Sequence, residues 1–341
     1  MDNKCSCENE KIPVVSTELT LKDAFGAVKA RLGIGRMDYA VAPGLYAVGK
    51  PDGNAPVLVS ANYKLTFDTL RRNLTGIDCW LLILDTKGIN VWCAAGKGMF
   101  GTEELVRRIK LSGLTKYVSH KRLVLPQLGA TGVSAHEVER QSGYDVVYGP
   151  VRAADIKEYI AAGYKATREM RTVNFTLWDR IVLTPMELFP AFKRALPVLG
   201  ALFVTNQFSA NPFDKHDVAA YAGSVVAGAV LTPALLPYLP GKAFSFKGML
   251  AGLGWTAAYL LAAGRFKKGR RLIAAGELLL LPAISSYLAL NYTGASTYAS
   301  PSGVQKEMKR ALPFIVGAAA AGGALLLGAH FFGGRRKKHD A

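Results

Sequence analysis

The chain has 341 residues, a formal net charge of +17 and 50% hydrophobic residues, but only 20% charged residues. This composition excludes a disordered chain, and the length allows two domains. Residues 1–189 hold 25 Lys and Arg against 20 Asp and Glu, whereas residues 190–341 hold 17 against 5. The excess positive charge therefore lies in the most apolar part of the chain. This pattern is typical of membrane loops and argues against a nucleic-acid partner.

The four cysteines are too few for a disulfide framework in a chain of this length, and no signal peptide precedes them. The N-terminal half is therefore expected in the cytoplasm. Cys5 and Cys7 stand in a polar stretch at the N-terminus. They are either part of a frayed terminus or a thiol pair that handles a soft metal.

Residues 38–165 alternate short apolar strands with amphipathic or glycine-bounded helices, which predicts a Rossmann-like α/β domain with a parallel sheet. In open sheets of this kind, ligands bind beyond the carboxyl ends of the strands. The predicted strands are 39–48, 57–60, 80–84, 123–125 and 145–148, and the predicted helices are 67–73, 102–111, 134–141 and 153–162. The strand ends select residues 60–66, 85–99, 126–132 and 149–152 as ligand-binding positions.

The C-terminal part predicts an all-α transmembrane domain with four or five spans. The apolar runs 218–239, 243–264, 272–290 and 311–332 each approach the ~20 residues that cross a bilayer, and 195–210 is a shorter fifth run. Cation clusters at 264–271 and 335–338 should face the cytoplasm, which fits four spans, whereas hydropathy favours five. The predicted division is an N-terminal segment 1–37, the α/β domain 38–165, a linker 166–189, the membrane domain 190–332 and a basic tail 333–341.

Glu277 is the only acid inside the predicted spans. An intramembrane carboxylate either marks an ion path or is anchored and paired near the interface. A transporter with a cytoplasmic regulatory domain is one possible function, and it requires further polar substrate contacts in the spans.

The segment 85–102 starts at the end of a buried strand, where a ligand is expected. Small residues follow Cys93, and they let a large flat ligand approach the backbone closely. A phosphate-binding loop is excluded because Gly88 stands eight positions before Gly96 and because Gly98, not Ser or Thr, follows Lys97. By composition alone, Cys93 is either a buried structural thiol or a functional one, and no histidine partner for nucleophilic catalysis can be assigned.

The run Asn90-Val-Trp-Cys-Ala-Ala-Gly-Lys97, preceded by residues 56–68 and followed by a membrane domain, resembles the mercury-methylating corrinoid proteins. The resemblance covers essentially the whole chain, and the run around Cys93 is highly specific. That family's corrinoid domain is similar to the cobalamin domain of the corrinoid iron–sulfur protein large subunit. Ser60 stands where the family is associated with threonine, and it keeps the hydroxyl group.

The resemblance implies that Cys93 is the lower axial ligand of cobalt in a cobalamin-type corrinoid. A thiolate donates strongly to the metal, so a methyl group on the opposite face could pass to the soft electrophile Hg(II) as a carbanion or a radical. The implied function is a corrinoid-dependent methyltransferase that moves a methyl group from methyl-cobalt(III) corrinoid to inorganic Hg(II), giving methylmercury. The alternative is a membrane-anchored corrinoid methyl carrier for another acceptor in one-carbon metabolism.

The resemblance also implies partners. The chain lacks a four-cysteine cluster motif, so an external reductant is expected, namely a ferredoxin-like protein with two [4Fe–4S] clusters. The methyl group is expected from the methyltetrahydrofolate pathway. The expected location is the cytoplasmic (inner) membrane, multi-pass in the lipid bilayer, with the corrinoid domain on the cytoplasmic side.

The expected site has two parts. The cap over the corrin face comprises Asn90, Val91, Trp92, Cys93, Ala94, Ala95, Gly96 and Lys97. Further corrin contacts, inferred from strand-end position, are Ser60, Asn62, Tyr63, Thr66, Gly129, Thr131, Gly149 and Arg152. A near match to the Asp-x-His-x-x-Gly cobalt motif at 214–219 ends in alanine and adjoins a span, so it is not expected to bind cobalt.

Overall fold

A computed structural model describes residues 12–206, 215–265 and 270–332. The described residues form two compact units. The first comprises Ile34–Asn174 and the described part of Met1–Ala30, and the second comprises Arg31–Gly33 and the described part of Phe175–Ala341. Cys5, Cys7 and the basic tail 333–341 lie outside the described residues.

The first unit is an α/β sandwich with helices on both faces of one sheet. Its strands are β1 (Val14–Val15), β2 (Gly44–Val48), β3 (Val57–Ala61), β4 (Cys79–Leu84), β5 (Arg122–Leu125) and β6 (Asp145–Tyr148). Its helices are α1 (Leu21–Arg31), α2 (Lys64–Arg72), α3 (Val91–Gly96), α4 (Thr102–Leu111), α5 (Ala135–Ser142) and α6 (Ile156–Ala161).

The sheet is mixed, in the order β1-β2-β4-β3-β5-β6. Strands β3, β4, β5 and β6 run parallel as predicted, but β2 pairs with β4 in the antiparallel direction. The fully parallel sheet was therefore a wrong prediction. Strands β2 and β3 lie on either side of β4, and only the eight residues 49–56 join them, whereas a crossover between parallel strands takes about a dozen residues or more.

Strand alternation divides the apolar side chains between two cores. Val59, Leu82 and Leu125 face one core, which α3, α4 and α5 cover. Leu58 and Ile83 face the other, which α2 and α6 cover. The continuous apolar runs in β3 and β4 are thus buried on both faces, as expected for central parallel strands.

Helix α1, which was not predicted from the sequence, is held against α2 by a partly buried ion network. Asp23 lies 2.6 Å from Lys64 and 2.9 Å from Arg71, and Asp68 accepts hydrogen bonds from the same two cations. The hydrogen bond from Lys64 holds the pKa of the Asp23 carboxyl well below its usual range. The Thr20 hydroxyl accepts from the Asp23 amide and so caps the helix.

The second unit is all-helical in the part described. Its helices are α7 (Leu177–Ile181), α8 (Pro185–Asn206), α9 (Lys215–Val226), α10 (Thr232–Ala234), α11 (Phe244–Ala262), α12 (Arg271–Tyr292) and α13 (Pro301–Phe332). A π-helical turn, Ala227–Leu231, joins α9 to α10. Glycines allow close packing around α12: a Cβ at Gly322 would lie 2.7 Å from the Gly276 carbonyl oxygen, and one at Gly252 would lie 2.7 Å from the Ser285 side chain.

Four helical stretches among the described residues are long and apolar enough to cross a membrane. They are Leu177–Thr205, Lys215–Ala234, Arg271–Ala295 and Ser302–Phe331. The first of these takes in most of the short run 195–210, whereas the predicted span 243–264 forms α11 but is not among the four. Lys247, Ser245 and the glycines of α11 lower its mean hydropathy.

Glu277 is paired rather than placed on an open path. Its Oε1 lies 3.9 Å from Nε of Arg265, which also donates to Asp217 at 2.8 Å and to the hydroxyl of Tyr259 at 3.2 Å. Arg265 was predicted as one cation of the loop 264–271, but it is buried. These contacts favour the anchored interpretation of Glu277.

Candidate functional site

The carboxyl ends of the four parallel strands meet at one edge of the sheet. The chain runs from β3 through α2 to β4 on one side, then crosses to β5 on the other side of β3. This reversal of strand order is a topological switch point, where open α/β sheets bind ligands. Helix α3 follows β4 and contacts both β3 and the turn Gln127–Gly129 that follows β5. It therefore lies across the switch point.

The loop between β4 and α3 is organised by one buried amide. The Asn62 Oδ1 accepts from the Thr86 and Gly88 amides at 3.1 and 3.0 Å and lies 2.8 Å from the Thr86 hydroxyl. Lys87 and Gly88 both have positive φ, at 55° and 70°, and a Cβ at Gly88 would lie 2.9 Å from the Met37 carbonyl oxygen. The tight turn thus requires glycine, and Asn62 fixes its orientation.

We expect Asn62→Ala to loosen this turn, because it leaves buried donors at Thr86 and Gly88 without their acceptor. The free energy of unfolding should fall by about 2 kcal/mol, and the Thr86 and Gly88 amides should exchange hydrogen faster. Denaturant unfolding and amide exchange measure the two effects. The control is Asn54→Ala at an exposed position, where a change within about 0.5 kcal/mol is expected. Equal losses in the two variants would contradict the assigned role.

Helix α3 is a short cap with two distinct faces. The Asn90 side chain accepts from the Cys93 amide at 2.9 Å and begins the helix. Val91, Ala94 and Ala95 are buried against the sheet. The opposite face presents Trp92, which is 36% exposed, together with half-buried Cys93 and exposed Gly96. This face points away from the packed core.

Glycines in the loop after β5 allow α3 to pack closely against that loop. A Cβ at Gly132 would collide with the Phe100 carbonyl oxygen and would lie 3.0 Å from the Ala95 Cα. A Cβ at Gly129 would lie 2.5 Å from the Phe100 ring. Phe100 is fully buried in the core beneath the cap. Glycine at these positions therefore sets how closely α3 approaches the loop.

Gly96 differs from these packing glycines. Its φ is outside the left-handed region, and a Cβ there would meet nothing within 4 Å. Neither backbone conformation nor packing within the described chain requires glycine at this position, although glycine is unfavourable in helices. The open space beside Cys93 therefore suits a flat ligand that lies against this face of the cap.

The two described cysteines have different environments. Cys79 is fully buried in β4, and burial raises the pKa of its thiol to about 12, so it is unreactive. Cys93 is half-buried on the open face of the cap. Among the residues that the structure describes, no group of three or more His, Cys, Asp or Glu could hold a metal ion.

The remaining predicted contacts are spread along the same edge. Asn62, Tyr63, Gly129 and Gly149 are buried, and so is Ser60, which is on the same face of β3 as Leu58. Thr66 is half-buried in α2, whereas Thr131, Arg152 and Lys97 are exposed. Asn62 orients the loop, and a Cβ at Gly149 would lie 3.1 Å from the Val124 side chain. These two residues have structural roles, whatever contact they make with a ligand.

Three residues that support the site were missed from the sequence. Thr86, Phe100 and Gly132 hold the turn and the cap through contacts with residues that are distant along the chain. The available signal was position, because Thr86 and Gly132 lie within the predicted strand-end segments and Phe100 directly follows one of them. Position alone could not separate a residue that faces a ligand from one that supports the loop.

Comparison with known proteins places the similarity in this domain. Residues 35–160 match the family model described as CO dehydrogenase/acetyl-CoA synthase delta subunit. The acetyl-CoA decarbonylase/synthase complex subunit gamma of Methanocaldococcus jannaschii is 31% identical over 144 residues, which are 41% of this chain and 29% of that protein. The subunit gamma of Methanopyrus kandleri is 36% identical over 122 residues, covering 35% and 26% of the two chains.

A further relative is the acetyl-CoA decarbonylase/synthase complex subunit gamma 2 of Methanosarcina thermophila, which is 38% identical over 120 residues, or 34% of this chain and 25% of that protein. The chain thus spans less than a third of the length of these curated relatives. The family model ends before the helical unit begins. The α/β domain that presents Cys93 is therefore similar to part of these acetyl-CoA decarbonylase/synthase complex subunits.

Proposed function

We propose that the chain is a membrane-anchored, corrinoid-dependent methyl-transfer protein in which the Cys93 thiolate is the lower axial ligand of cobalt. The observation that carries the proposal is the open face of α3, where Cys93 is half-buried and a Cβ at exposed Gly96 would meet no described atom within 4 Å. When bound there, a corrinoid supplies a cobalt centre that carries a methyl group between donor and acceptor. The similarity to acetyl-CoA decarbonylase/synthase subunits supports this class of cofactor and chemistry.

The chain's own residues have defined tasks in this proposal. Cys93 donates electron density to the metal, which is how a protein tunes a macrocyclic cofactor. Asn90 fixes the start of the cap through the Cys93 amide. Asn62 holds the preceding turn, and Gly132 holds the cap against the sheet edge. The remaining predicted contacts, including Trp92, Lys97, Thr131 and Arg152, are proposed to surround the corrin.

Visible absorption of the purified full chain with cobalamin tests the proposal. The wild-type protein should bind cobalamin with a spectrum that differs from that of the free cofactor, because a thiolate replaces its lower ligand. Cys93→Ala should shift the cobalt-dependent bands or abolish binding. No binding by the wild type would overturn the corrinoid assignment, and identical bound spectra in the two proteins would overturn the thiolate ligand.

We expect Gly96→Ala to weaken cobalamin binding without destabilising the fold, because the added methyl group enters the open space beside Cys93. The free energy of unfolding should stay the same or rise by up to about 1 kcal/mol. Cobalamin affinity should fall by about tenfold or more, since binding loses roughly 1.4 kcal/mol for each factor of ten. Equilibrium titration and denaturant unfolding check the two effects. Unchanged affinity would show that the ligand does not lie against this face.

Two acceptors are compatible with this site, and a different observation favours each. The relatives favour a carrier that delivers its methyl group to an acceptor in one-carbon metabolism. The thiol at Cys93 favours inorganic Hg(II), because a strongly donating ligand promotes release of the methyl group to a soft electrophile. Protein loaded with methylcobalamin should be offered Hg(II) or a thiol acceptor in parallel. Methylmercury as the dominant product would select the second function, and its absence would select the first.

The proposed partners follow from the same chemistry. We propose a ferredoxin-like protein with two [4Fe–4S] clusters as reductant, because a bound corrinoid would have to be reduced before it could accept another methyl group. The proposed methyl source is the methyltetrahydrofolate pathway. The four apolar helices support attachment to the cytoplasmic membrane, with the α/β domain on the cytoplasmic side.

A further inference from the structure

Helix α1 presents its large apolar side chains outward. Leu21 is 91% exposed, Phe25 is 67% exposed and Val28 is 54% exposed. Their spacing of four and three residues places them on one face of the helix. Exposed Ile34 and Met37 follow shortly after the helix. A soluble domain rarely exposes such a continuous apolar stripe without an interaction partner.

The opposite face of α1 explains why the stripe cannot turn inward. Asp23 is inserted between Lys64 and Arg71, and its backbone carbonyl lies 3.4 Å from the Tyr39 hydroxyl. Ala30 is buried, and a Cβ at Gly26 would lie 2.5 Å from that hydroxyl oxygen. Rotating the helix to bury Phe25 would pull the partly buried Asp23 carboxylate away from Lys64 and Arg71, and would leave the buried Arg71 with one carboxylate partner fewer. The outward stripe is therefore built into the fold.

The charge around the stripe is positive. Asp23 is the only acid in α1, and it is engaged in the ion network. Lys22 and Lys29 are exposed and lie two helical turns apart on one flank of the apolar face. An apolar face flanked by lysines is the arrangement by which helices lie in a membrane interface, with the lysines near anionic headgroups.

We propose that α1 lies on a lipid surface that carries anionic headgroups, with Leu21, Phe25 and Val28 inserted below the headgroups. The same chain has four helices long and apolar enough to cross a bilayer, and the proposed membrane attachment, on which this inference rests, would keep a lipid surface at high local concentration. Lysines flanking the stripe select anionic lipid over an apolar protein groove. The proposal is independent of the corrinoid chemistry, because it concerns a face of α1 that does not include Cys93.

Quenching by bromine-labelled acyl chains tests the proposal with the full chain in phosphatidylcholine–phosphatidylglycerol vesicles. Phe25→Trp adds an indole to the stripe, and Leu111→Trp adds one at the exposed end of α4 as a matched control. Relative to wild-type protein, the fluorescence added by Phe25→Trp should be quenched at least about twofold more strongly than that added by Leu111→Trp. Equal quenching of the two added indoles would overturn the proposal. The proposal would also be overturned if a second copy of the chain or a soluble protein covered the indole at position 25 and protected it from the brominated lipid.

A charge variant tests the choice of lipid. Adding Lys22→Gln and Lys29→Gln to Phe25→Trp should reduce quenching in vesicles with phosphatidylglycerol to the level found in phosphatidylcholine alone. If quenching is the same with and without the two lysines, and with and without phosphatidylglycerol, the proposed preference for anionic headgroups is wrong. None of these readouts depends on cobalamin, so a failed corrinoid assignment would leave them unchanged.

Discussion

Cys93→Ala should abolish methyl transfer while the fold is retained. The thiol lies on the open face of α3, and the residues that hold the helix are its neighbours rather than Cys93 itself. Alanine is a good helix former, so the cap should persist. Loss of the donated electron density should lower product formation in cells to about 1% of wild type or less, because a metal ligand affects activity more than the outer contacts do. Product analysis by mass spectrometry, for Hg(II) and for the alternative acceptor, measures the effect.

Cys79→Ala is the matched control for a lost thiol. Cys79 is fully buried on the other face of the sheet, and its high pKa keeps it protonated. We expect this variant to lose about 1 kcal/mol of stability through the smaller side chain and to keep its activity. A Cys93→Ala protein that binds cobalamin and works at a near-normal rate would contradict the thiolate mechanism.

Gly132→Ala should have the largest effect on the cap itself. The new methyl group would collide with the Phe100 carbonyl oxygen and crowd the Ala95 Cα, and both are backbone atoms that no side-chain rotation can move. We expect a loss of about 2–3 kcal/mol in the free energy of unfolding, together with faster hydrogen exchange at the Cys93 amide. Cobalamin binding should weaken in the same variant, since α3 can no longer approach the loop.

Gly96→Ala serves as the counterpart, because it adds the same methyl group to the other side of the cap. It should impair cobalamin binding without loss of stability, whereas Gly132→Ala should impair both. Isothermal titration and denaturant unfolding of the two variants, side by side, separate packing from ligand contact. If Gly132→Ala were as stable as wild type, the close approach of α3 to this loop would not exist in solution.

Local patterns in the sequence predicted much of the α/β unit. The helix 102–111 and the strand 145–148 have the predicted bounds, because each has a complete apolar pattern between clear turn signals. The direction of β2 was not predictable in this way, because the apolar pattern within a strand does not show which strand it pairs with. Helix α1 was missed although its apolar spacing is regular, and its outward stripe shows that such spacing does not identify the buried face.

In the candidate site, too, some features could be predicted from local residues and others depend on contacts between distant residues. The helix at Val91–Gly96 agrees with the cap that the family resemblance implies, whereas the role of Cys93 as a metal ligand stays a prediction. The roles of Asn62 and Gly132 depend on contacts with Gly88 and Phe100 that only folding creates. The pairing of Glu277 with Arg265, across a loop of the helical unit, was likewise beyond a local pattern.

The length of α3 has a consequence for the order of assembly. A helix of six residues has little stability alone, because helices shorter than about 12 residues are marginal in water. Its start depends on Asn90, and its position depends on a turn that follows β5, some thirty residues later in the chain. The cap can form only after that later segment has been synthesised and packed. We therefore expect any cofactor that binds through Cys93 to enter the finished domain and not the emerging polypeptide.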